Sequence, residues 1–118
     1  MVLAILGQTD LILTQNVANL LRQPNDAFVS VASIWEIALK HRTGKLALSI
    51  DVSSLPKVLE DIDITILDIT SHHTLAAIGP EPITKDPFDR LLLGVCAAEG
   101  MRLLTIDKAL VDHPLVWR

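Results

Sequence analysis

A chain of 118 residues, half of them apolar, is long enough to bury one core and too short to divide comfortably into two. Its formal charge of −4 excludes a broadly basic surface that would wrap duplex nucleic acid by phosphate neutralisation, so any nucleic-acid contact must rest on a local basic patch. Cys96 is the single cysteine, which excludes an internal disulfide and a cysteine-based zinc cluster within one chain.

In chain order, MVLAIL is apolar and suits either a strand or a helix. QTDLILTQNVANLLRQPND reads as a turn followed by a short helix centred on Val17 to Leu21; Asn25 and Asp26 supply a turn, and AFVSV suits a short buried strand. SVASIWEIALKHRTGKL sets Ile34, Ile37, Ala38 and His41 near helical spacing, with Gly44 placed to stop the helix. Ser33 and Glu36 have the S-x-x-E spacing of a capping box, which gives Glu36 a structural explanation before any functional one. Trp35 falls in the apolar helical pattern and is expected in the core.

VSSLPKVLEDI suggests a short helix interrupted or restarted at Pro56, and ITIL a second strand. In ITSHHTLAAIG, Thr70 or Ser71 is expected to cap a short helix and Gly79 to end it. His41, His72, His73 and His113 show no persuasive metal-binding spacing and are expected at the surface or in an outer shell. In DPFDRLLLGVCAAEG, Asp86 is the expected N-cap, Pro87 the first helical residue, and Asp89 a first-turn acid where negative charge is favourable. Leu91, Leu92, Val95, Cys96 and Ala98 make that helix largely apolar, Cys96 reads as a buried thiol, and Gly100 is the expected terminator. RLLTID reads as a strand ending at Asp107, followed by a KALV turn or helix and an LVW segment that edges the sheet.

Short apolar strands separated by helical crossovers favour an α/β fold with a mostly parallel sheet covered on both faces. Acids at the carboxyl ends of such strands, or beginning the helices that follow, converge in the crevice at that edge. This selects Glu36, Asp89 and Asp107. With no signal-peptide pattern at the start and apolar runs too short to cross a bilayer, a cytoplasmic protein without membrane attachment is the expectation.

VSVASIWEIALKHRTGKL resembles the second acidic block of the bacterial PIN-domain toxin family, and KDPFDRLLLGVCAAEGMRLLTIDKAL resembles its third and fourth blocks in the same order and separation. The resemblance spans nearly the whole chain and implies a single PIN-like three-layer α/β/α domain over residues 1–118. Members of that family usually begin with a central strand ending in an aspartate. Here VLAILGQTDLILTQNVANLL is similar to the helix and turn after that strand, and Asp10 does not reproduce the motif. A shortened N-terminus is therefore expected, with the first strand missing or replaced by MVLAIL.

The resemblance further implies a divalent-metal-dependent endoribonuclease, the toxin of a toxin–antitoxin pair. Glu36, Asp89 and Asp107 would be its catalytic carboxylates and would hold Mg²⁺ or Mn²⁺. Ser33, Asp86 and Thr105 would be outer-shell residues, and Arg42, Lys45, Lys85 and Arg90 would contact RNA phosphates. A cognate antitoxin, an RNA substrate and a homodimer are the implied partners. The alternative is a catalytically impaired PIN-like module that binds protein through apolar surface exposed by an incomplete sheet. A phosphoacceptor receiver also has an acidic α/β pocket, but the order of the acid blocks argues against it.

Overall fold

The computed structural model describes residues 3–6, 26–83, 85–105 and 109–116. Strands β1 (Leu3–Leu6), β2 (Asp26–Ser30), β3 (Ile64–Leu67) and β4 (Arg102–Leu104) form one sheet, all pairs parallel, in the order β3-β2-β1-β4. Helices α1 (Val31–Arg42), α2 (Leu55–Asp61), α3 (Ser71–Leu75) and α4 (Pro87–Glu99) supply the crossovers, with a 3₁₀ turn at Val52–Ser54 leading into α2.

Parallel strands are buried on both faces, so their sequences run apolar without strict alternation. Ala27 and Val29 of β2 and Ile64 of β3 pack with Ile37, Leu55 and Leu59 on one face. Phe28, Leu67 and Leu103 belong to the opposite core, with Leu92, Val95 and Cys96 of α4. The result is a small mixed α/β domain with helices on both faces of a short open sheet. No helix among the described residues is long and apolar enough to cross a membrane.

The expected gap at the centre of the sheet is not there. Leu3–Leu6 pairs with β2 from Leu3↔Asp26 to Leu6↔Val29 and with β4 from Ala4↔Arg102 to Leu6↔Leu104. The Leu3–Leu6 part of the apolar MVLAIL run therefore resolves to a strand, because two neighbours satisfy its backbone groups. The helix expected around Val17 to Leu21 lies outside the described residues. At the far edge, Leu103 N–H donates to Leu115 O at 2.7 Å and pairs with Val116, so the terminal segment covers β4 as its sequence suggests.

The start of α1 differs from the capping box expected at Ser33 and Glu36. The cap is Ser30, whose Oγ accepts the Ala32 N–H at 3.1 Å; Ser33 is buried inside the helix and Glu36 is free of any capping role. Two spaced serines offer the same local signal, and the strand's end decides between them. Ser30→Ala should cost about 1 kcal/mol by urea unfolding, whereas Glu36→Gln, losing an i,i+4 ion pair, should cost only about 0.3–0.5 kcal/mol. The helix ends at Arg42, with Gly44 in the left-handed region at φ 75°.

Helix α4 follows its sequence signals closely: Asp86 Oδ1 accepts the Phe88 N–H at 2.9 Å, Pro87 opens the helix, and Gly100 closes it at φ 67°. Cys96 is fully buried, and burial pushes its thiol from its ordinary 9.0 up to about 12. The folded chain holds that proton through pH values at which the unfolded chain has lost it, so stability should fall as pH rises from about 9 toward 12. Iodoacetamide at pH 8 should leave native Cys96 unmodified and label it once denaturant is added.

Two histidines expected at the surface or in an outer shell are instead buried structural groups. His73 Nδ1 accepts the Thr70 N–H at 3.0 Å, while Thr70 Oγ1 accepts the His73 N–H; His73 Nε2 donates to Glu99 Oε1 at 2.6 Å. This capping box starts α3, which ends at Leu75, before Gly79. His113 Nδ1 accepts the Leu115 N–H at 3.1 Å and its Nε2 donates to Pro80 O at 2.7 Å, tying the terminal segment to the loop before α4. Each ring joins one neighbour in sequence to one partner far along the chain, and the distant partner is what sequence spacing could not reveal.

Candidate functional site at the carboxyl edge of the sheet

All strands of a parallel sheet end at one edge, and the chain here builds outward from β1 through β2 to β3 before crossing to β4 on the other side. The reversal lies between β1 and β4, the switch point at which open α/β sheets place their ligand crevice. Helix α1 starts at this edge because Ser30 is both the last residue of β2 and the helix cap. Helix α4 runs back from it: Met101 N–H donates to Cys96 O at 2.9 Å as the chain turns into β4, so the opposite end, the first turn of α4, returns to the carboxyl edge.

The two helices meet there. The rings of Trp35 and Phe88 lie 5.5 Å apart between centroids with planes at 53°. Each is followed in sequence by one of the selected acids, Glu36 on α1 and Asp89 on α4. Trp35 is 55% exposed rather than packed in the core as its place in the sequence pattern suggested. Phe88 beneath it packs against the core on the α4 face.

Asp89 is 6% exposed. Taking a carboxylate out of water costs several kcal/mol unless neighbours compensate, and the first-turn position beside the positive end of α4 contributes about 0.3–1 kcal/mol of that compensation. Glu36 keeps 18% of its side-chain surface and pairs with Lys40 at 2.9 Å, one turn further along α1. The pair is absent from the sequence expectations, although the i,i+4 spacing of Glu36 and Lys40 is the signal that finds it. Asp107 lies outside the described residues, as does Asp10; Thr105, half-buried directly after β4, is the last described residue before Asp107. Among the described residues no three histidine, cysteine or carboxylate side chains gather as a metal site.

The other selected residues separate into groups. Asp86 commits an oxygen to capping α4, and Ser33 is buried within α1. Arg90 forks onto Glu81, its Nε 2.8 Å from Oε2 and its Nη2 3.2 Å from Oε1, and also donates to Ala76 O at 2.9 Å. Lys85, Asp86 and Arg90 line a cleft of about 270 Å³ with Glu81, Pro82 and Pro87, beside the start of α4. Arg42, the last residue of α1, and Lys45 just after the helix are exposed, Arg42 about 18 Å along the helix from its cap at 1.5 Å per residue. They lie at the opposite end of α1 from the edge at which that helix begins.

No family model matches the chain, and no curated protein and no solved structure matches it.

Proposed function

We propose that the chain is a divalent-metal-dependent endoribonuclease of PIN type, the toxin of a toxin–antitoxin pair, with Glu36, Asp89 and Asp107 as its working carboxylates. The observation that supports the reading best is the meeting of α1 and α4 at the switch-point edge, with a buried Asp89 in the first turn of α4. The donor set suits Mg²⁺ or Mn²⁺, since carboxylate oxygens are hard ligands and their mutual repulsion needs a compensating charge. Glu36, Asp89 and Asp107 would hold that ion directly or through water. When bound, the cation supplies the charge that activates water and offsets charge on the attacked phosphate.

The chain's own groups do the positioning. Burial leaves the Asp89 carboxylate little rotational freedom, which favours a fixed alignment of water and phosphate. Lys40 neutralises Glu36 when no other cation is near and is exposed enough to swing toward an RNA phosphate. Lys85, at the cleft beside α4, is a further phosphate contact in this reading. The family resemblance brings a cognate antitoxin and a homodimer with it.

The test is cleavage of single-stranded and structured RNA by the purified chain in Mg²⁺, in Mn²⁺ and in chelator. Cleavage that requires the metal is expected; cleavage indifferent to chelator would refute the mechanism. A catalytically impaired module that binds protein is favoured by Leu75 and Ile83, which are 82% and 87% exposed. It becomes the better reading if no RNA is cut and an antitoxin-like protein binds tightly.

A further inference from the structure

We infer that Trp35 is a stacking platform for a base of single-stranded RNA passing the carboxyl edge, an assignment that rests on the ribonuclease reading and extends it to substrate binding. A tryptophan that keeps 55% of its surface in water forgoes burial of the largest apolar side chain in the chain's repertoire. It is nevertheless held in place: Phe88 contacts it at 5.5 Å with a tilt of 53° and is itself packed against the core on the α4 face. One part of the indole is held and the rest is open.

Position gives that open surface its use. Trp35 and Phe88 immediately precede Glu36 and Asp89, so the ring stands where the helices bearing those acids adjoin. Leu75 and Ile83 are more exposed, but neither offers a π-face. Stacking also fits the charge of the chain, because a base held by an aromatic ring needs no long basic groove, and −4 does not provide one. It selects single strands, whose bases have open faces, over duplexes, whose faces are stacked on one another.

The experiment measures binding by fluorescence anisotropy, in Ca²⁺ and separately in chelator, with a labelled single-stranded RNA and the same oligonucleotide carrying abasic positions. Wild type should bind the intact strand about 10-fold more tightly than the abasic one, within the range of a single base–aromatic stack. Trp35→Ala should bind both strands equally, at the wild-type affinity for the abasic one. Trp35→Phe should keep most of the preference, and thermal unfolding of each variant reports whether it is folded. Wild type that binds neither strand, or a Trp35→Ala loss equal on both strands, would overturn the assignment. Identical behaviour of wild type and Trp35→Ala would also overturn it and leave the exposed ring to a protein partner. The two readings fail separately: base-dependent binding through Trp35 without cleavage sinks the nuclease alone, while metal-dependent cleavage with an unchanged KM in Trp35→Ala sinks the platform alone.

Discussion

Asp89→Asn is expected to lower metal-dependent RNA cleavage by about 100-fold or more, the scale on which removal of one preorganised group from a charged reaction centre acts. The substitution keeps the side-chain volume and removes the charge, so packing around the buried position changes little. The missing interaction with the helix end accounts for about 0.3–1 kcal/mol of lost stability, and urea unfolding of the variant checks that it is still folded under the assay conditions. The sharpest control sits three residues earlier on the same helix. Asp86 caps α4 through the Phe88 N–H, and asparagine caps nearly as well as aspartate, so Asp86→Asn should keep cleavage within about 10-fold of wild type. Equal effects of the two substitutions would mean that charge at the start of α4 matters only in bulk and that Asp89 has no special place.

Gly94→Ala should destabilise the fold by about 1–3 kcal/mol, against the direction of helix propensity. Gly94 lies in the middle of α4, where alanine ordinarily gains about 1 kcal/mol over glycine. A Cβ there would fall well inside van der Waals contact with the carbonyl oxygen of His73, a backbone atom that no rotamer change can move away. To make room, α3 must shift from α4 and strain the contacts that join them, the His73–Glu99 hydrogen bond and the Arg90–Ala76 bond. A lower urea midpoint at unchanged m is the expected readout. A midpoint raised by the full helix-propensity gain would show that α3 does not sit as close as described.

The lesson about legibility lies in which signals were local. Asp86, Pro87, Asp89 and Gly100 read correctly because each acts on backbone within one turn of itself. The apolar runs of β2 and β3 read correctly because a parallel strand carries its own burial pattern, whereas β4 stops at Leu104 with Thr105 already outside it, short of the expected end at Asp107. MVLAIL was ambiguous because six apolar residues suit either element, and only the partners on both sides decide. Ser33 and Glu36 misled because an S-x-x-E spacing is common, and the helix began three residues before Ser33 would have capped it. Gly94 carried no sequence signal at all, since its reason is a neighbour 21 positions away in the chain, His73. For the candidate site, the sequence supplied the acids, while the fold added what pattern could not: the burial of Asp89 and an exposed Trp35.

The central claim is that Glu36, Asp89 and Asp107 share one hydrated divalent cation at the carboxyl edge of the sheet. Anomalous diffraction from crystals soaked in Mn²⁺ tests it most directly. The account predicts one strong peak beside Asp89, with Glu36 and Asp107 bound to it directly or through single waters and the peak absent from Asp89→Asn crystals. Carboxylates pointing to separate surfaces, or a Mn²⁺ peak that persists unchanged in Asp89→Asn, would contradict it.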